Sequence, residues 1–112
     1  MGRAYDIVDR IANANQKPKI KLNENTEFKI NNSFAAAIAI KAYSEDKELS
    51  DEERIQKIFT VALNEEAREY IKSQEYAMPV YIIILNAIMA AIANMDLEDM
   101  EKISKKNPSS IE

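Results

Sequence analysis

Carboxylates are the residues through which this sequence could do chemistry. Asp51, Glu52 and Glu53 stand in a row, Glu65 and Glu66 form a pair, and Asp96, Glu98 and Asp99 cluster near the C-terminal end. Paired acids serve as general acid and base, or as oxygen ligands for a hard cation. Their setting gives a plainer account. Ser50 followed three residues later by Glu53 is a capping box, and acids in a first helical turn meet free backbone N–H groups and the positive end of the helix dipole. The other two clusters open apolar-periodic segments in the same way. No D-x-[DN]-x-[DN]-G calcium loop is present. The sequence has no Cys and no His, which removes thiolate nucleophiles, disulfides, the common zinc sites and the usual base at neutral pH. Gly2 is the only glycine, so no glycine-rich phosphate cradle can form. The expectation is a protein that is not an enzyme, with no catalytic residue, cofactor or metal.

Charge and length narrow the remaining classes. Fifteen basic residues against 19 acidic ones leave a net charge of −4, whereas a nucleic-acid binder needs a basic face to neutralise phosphates. Lys17, Lys19 and Lys21 alternate as they would on the wet face of a strand. A chain of 112 residues is a single-domain length that hides only roughly 65% of its unfolded surface, so partner contacts are expected to add stability. From Ala77 to Ala93 the only polar side chains are Tyr81 and Asn86. That span is marginal for a membrane helix, which needs about 20 residues, and it lacks a flanking basic cluster. A buried helix in a protein with no membrane or nucleic-acid partner is the better reading.

The elements follow from periodicity. Residues 3–14 are predicted as an amphipathic helix carrying Ala4, Ile7, Val8 and Ile11, ended by Asn15-Gln16-Lys17-Pro18. Residues 19–31 switch to period two, and a hairpin turning at 23–26 would place Ile20, Leu22, Phe28 and Ile30 on one side. Ser33 is the N-cap of a helix over 34–44, with Phe34, Ile38 and Ala42 on one line. Ile55, Ile58, Phe59, Ala62 and Leu63 form an apolar face behind the capping box, and Asn64 caps a shorter helix carrying Ala67, Tyr70 and Ile71. Pro79 suits the first turn of a helix over 79–95. That helix is apolar almost all round and is expected to be covered on all sides, by four short helices and the hairpin or, for part of its surface, by another subunit instead. Asp96 caps a last helix, 97–105, with Leu97, Met100 and Ile103 facing in. The fold class is mainly α, five to six short helices with one hairpin in the N-terminal half. A single domain over 1–106 is followed by a disordered tail, 107–112.

Protein contact is the function these features leave. Ile82, Leu85, Met89 and Ile92 share one side of the apolar helix, and Phe59 and Tyr43 are expected to line a groove beside them. Asn86 either caps the backbone or bonds a neighbouring helix within the chain, the preferred reading, or sets register between subunits. Met78, Met89, Met95 and Met100 read as core fillers.

The run "FKINNSFAAAIAIKAYSED", then "KELSDEERIQKIFTVALN", then an apolar helix, resembles the tail assembly chaperones of long-tailed bacteriophages of Gram-positive hosts over about residues 19–95. The resemblance implies a non-enzymatic chaperone that self-associates and binds the tape measure protein, keeping it soluble until tube subunits polymerise around it. It further implies a location in the cytoplasm of the bacterial host and absence from the mature virion. Such genes often yield a longer frameshifted product, and Lys105-Lys106 is compatible with a slippery adenine run. A competing class is a small regulatory adaptor or inhibitor that binds one host or phage protein at fixed stoichiometry.

Overall fold

The computed structural model describes residues 2–106; the tail expected at 107–112 lies outside them. Two strands, β1 (Lys19–Asn23) and β2 (Thr26–Lys29), pair antiparallel, with Ile20 opposite Phe28 and Asn23 opposite Thr26. The Asn23 side-chain oxygen accepts the Asn25 N–H at 2.8 Å, which folds the chain into the turn. Ile20 and Ile30 are buried, and Leu22 and Phe28 pack partly against the core. The alternation therefore turns one hairpin face onto the helices, the support an isolated hairpin lacks.

Among the described residues six helices accompany the hairpin. The first, α1 (Val8–Ala14), is shorter than predicted. Asp6 Oδ1 accepts the Val8 N–H at 3.1 Å, which starts the helix there rather than at residue 3. None of its residues is buried. The helix α2 (Phe34–Glu45) starts where Ser33 Oγ accepts the Ala36 N–H at 3.2 Å. Next, α3 (Asp51–Ala62) opens on the predicted capping box: Ser50 Oγ accepts the Glu53 N–H and Glu53 Oε1 accepts the Ser50 N–H. A third side-chain cap, Asn64 to the Ala67 N–H at 2.8 Å, starts α4 (Glu65–Gln74). The two remaining helices are α5 (Met78–Ala93), with Pro79 in its first turn, and α6 (Leu97–Lys106). The central element is α3, which packs against α2, α4 and α5 and contributes Ile55, Ile58, Phe59 and Ala62 to the core.

The capping box accounts for the strongest acidic cluster without chemistry. Hydrogen bonds from the Ser50 N–H and then the Ser50 hydroxyl hold the Glu53 carboxyl below its ordinary range. A lowered folded-state value means the contribution is present above the unfolded carboxylate range and is lost as pH falls through the folded value. Ser50→Ala is expected to destabilise by about 1 kcal/mol at neutral pH. The gap between the two proteins in urea melts should narrow on acidification.

Two left-handed residues end helices without glycine, Glu75 (φ 51°) and Asn94 (φ 55°). At Asn94 the Met95 N–H reaches the Ala90 carbonyl at 2.9 Å, a Schellman closure that asparagine tolerates. Glutamate tolerates that conformation less well. Glu75→Gly is therefore expected to stabilise the protein by about 0.5–1 kcal/mol, read as a raised denaturant midpoint with unchanged slope.

Two packing expectations are corrected. The helix α5 is not covered on all sides: only Ile84, Ile88 and Ala90 are buried, while Ile83 is exposed. The elements around it are too few and too short to enclose it, and α1 buries none of its own residues. Likewise Leu97 and Ile103 of α6 are exposed rather than inward-facing, with Met100 half-buried. Beyond the Asn94 turn α6 runs at 107° to α5, so it forms a corner and not a lid. No single helix among the described residues is long and apolar enough to cross a membrane.

Candidate protein-interaction surfaces

The phase of α2 decides which of its residues are free. Set by the Ser33 cap, the helix turns Ala36 and Ile40 inward toward α3. Phe34 and Ile38, one turn apart, are left 83% and 54% exposed, and Ala42 continues the line outward. Two large side chains at i and i+4 on an uncovered helix face form a contact strip for another helix. A second free surface is the arm ahead of the hairpin, where Tyr5 and Val8 are 77% and 70% exposed and Ile7 and Ile11 about half exposed.

The third surface is concave. A groove of about 380 Å³ lies between β1 and the corner of α5 and α6. Ile83, Ala87, Ala90 and Ala91 form its wall, Met95 and Leu97 close one end, and Lys19 and Lys21 line the hairpin side. Both lysines remain more than half exposed although Lys19 pairs with Glu27 at 3.3 Å and Lys21 with Glu24 at 3.8 Å. The first turn of α6 carries Glu98 and Asp99, which do not line the groove. The groove is thus apolar along its helical wall, with its charged lining residues on the hairpin side.

The six residues singled out from sequence fall in different places. Phe59 is buried, its ring stacked on Tyr81 at 5.9 Å and 17°, at the base of a depression shared with Ile55 and Ile71. Tyr43 is half-buried in a separate depression with Lys57, Thr60 and Val61. The Lys57 ammonium stands 5.6 Å from its ring centre, and its carbonyl accepts from Arg54 Nε at 3.2 Å. Ile82, Leu85, Met89 and Ile92 are half-buried against the core, and none of them lines the groove at the hairpin. The six are not brought into one groove. The surfaces that sequence reading passed over are the arm, the Phe34/Ile38 line and the Ile83 wall. The spacing of Phe34 and Ile38 was legible, but a helix apolar on several sides does not announce which line turns inward.

Asn86 is half-exposed, and its side chain forms no hydrogen bond with the described residues. The preferred reading, a bond to the backbone or to a neighbouring helix in the same chain, is therefore corrected: the partly exposed side chain makes no such bond with the described residues. Partial burial, followed by the neighbouring Tyr70, raises the Tyr76 phenol above its ordinary range. It stays protonated near neutral pH and offers no base.

Compared with known proteins, residues 15–110 match the family model described as Bacteriophage Gp15 protein. No curated protein matches the chain, and no solved structure matches it.

Proposed function

We propose that this chain, which belongs to the bacteriophage Gp15 protein family, is a non-enzymatic tail assembly chaperone that self-associates and binds the tape measure protein in the cytoplasm of the infected host. The observation that carries this reading is the amount of large apolar surface left uncovered. Phe34, Ile38, Val8 and Ile83 are each more than half exposed on three separate elements. Exposed apolar patches on a soluble protein mark sites of protein contact, and patches on several sides suit a protein that meets both its own copies and a client. A long helical client presents repeated apolar faces, and the Phe34/Ile38 line on α2 is shaped to lie along one. The protein is expected to leave before the virion matures.

Co-expression with the tape measure protein of the same phage tests the reading. A soluble complex with several copies of this chain per client is the expected result. An insoluble client, with this chain soluble and uncomplexed, overturns it. Capture of one globular protein at fixed stoichiometry, in place of the client, turns the reading to a regulatory adaptor.

A further inference from the structure

We infer that two copies of this chain join through the outer edge of β2, strand against antiparallel strand, so that their hairpins form one four-stranded sheet. The inference rests on the self-association in the proposed function and names the surface that makes it.

The hydrogen-bond register decides which edge groups are free. The Ile30 N–H donates to the Pro18 carbonyl at 2.7 Å, and β1 and β2 pair as Lys19 with Lys29, Ile20 with Phe28 and Lys21 with Glu27. Bonded and unbonded pairs alternate along an antiparallel ladder, so Ile20 and Phe28 form a bonded pair and the pairs on either side do not. The N–H and C=O groups of Glu27 and Lys29 therefore point away from β1. The sheet ends at β2, and none of these four groups has a partner among the described residues. Open edge groups of this kind are a template for another strand.

The order of side chains along that edge selects the strand that fits. Glu27-Phe28-Lys29 is complementary in charge to its own reverse. In a two-fold pairing centred on Phe28, Glu27 of each copy stands opposite Lys29 of the other, and these are the residues whose free N–H and C=O groups meet. Both side chains are exposed. Glu27 reaches Lys19 at 3.3 Å within the chain, whereas Lys29 makes no ion pair among the described residues. Opposite charges facing across strands stabilise a pairing, and like charges destabilise it. Phe28, half-buried beside Tyr70, meets its counterpart at the centre, where an unbonded pair brings side chains closest. The outer edge of β1 lacks this fit: a two-fold join centred on Ile20 sets Lys19 opposite Lys21 twice. A lysine on an edge strand ordinarily keeps other strands away; Lys29 admits a copy that brings Glu27 to it.

Because one patch serves both copies, the contact is isologous and closes at two. Four full-length proteins test it by sedimentation over a wide concentration range: the natural chain, Glu27→Lys, Lys29→Glu and Glu27→Lys/Lys29→Glu. The altered residues are exposed, and circular dichroism checks that folding is retained. Each single reversal sets like charges opposite at both ends of the pairing and should weaken self-association by roughly 10-fold or more. The double reversal restores the match and should associate as the natural chain does. An equimolar mixture of the two single reversals should form the mixed pair, since each brings the charge the other needs. In the natural chain, with no substitution at all, hydrogen exchange at the Glu27 and Lys29 amides should slow as concentration rises. Equal self-association of all four proteins overturns the proposal, as do Glu27 and Lys29 amides that exchange at one rate in monomer and assembly. A natural chain that stays monomeric at every concentration overturns it together with the self-association it rests on. Single reversals that assemble at the natural strength and still hold the tape measure protein soluble would sink this inference and leave the proposed function standing. Pairing through β2 without any hold on that client would do the reverse.

Discussion

Ile58→Ala is expected to lower the stability of the folded chain by about 3–4 kcal/mol. Ile58 is fully buried on α3, the helix against which α2, α4 and α5 all pack. The change removes buried methyl and methylene groups and leaves a void that short helices on three sides cannot close without shifting one another. Total stabilities of small domains are about 5–15 kcal/mol, so the loss is a large share. Urea unfolding followed by circular dichroism should show a clear fall in midpoint. A change below about 1 kcal/mol would mean that α3 is not the centre of the fold. Ile83→Ala on the uncovered side of α5 is the internal control and should cost little at concentrations where the chain is monomeric.

The second large effect is functional. Phe34→Ser/Ile38→Ser should abolish solubilisation of the tape measure protein while leaving the unfolding midpoint within about 0.5 kcal/mol of the natural chain, as surface substitutions do. Both side chains lie on the outer line of α2, and the inward line of Ala36 and Ile40 is untouched. Retained client binding would move the binding site off α2, toward Tyr43 or the half-buried face of Ile82, Leu85, Met89 and Ile92. Loss of both folding and binding would mean that Phe34 packs inward.

How much of this was legible in sequence depended on how local the cause was. Ser33, Ser50 and Asn64 start the helices at which they were placed, because a cap is settled by a few neighbouring atoms. The hairpin was legible for the same reason: alternation of period two has one way to bury Ile20 and Ile30. What failed was the inference from composition to cover. An apolar α5 implies that something must pack on it, but sequence does not say whether that something is the same chain. The helix at residue 3 failed locally, since Asp6 competes for the Val8 N–H. Ile82, Leu85, Met89 and Ile92 lie on the helix with the most apolar side chains, whereas exposure depends on which line each neighbour leaves free.

The order in which elements pack has a bearing on timing. β1 packs on β2, α2 on α3, α3 on α4 and α5 on α6, each pair adjacent along the chain, with the α3–α5 contact the main longer closure. Chains built from such local pairings fold in about milliseconds or less, whereas the ribosome adds about 5–20 residues each second. Each pair is therefore in place almost as soon as it is made. A newly synthesised copy is folded almost as soon as it leaves the ribosome, ahead of any longer chain begun at the same moment.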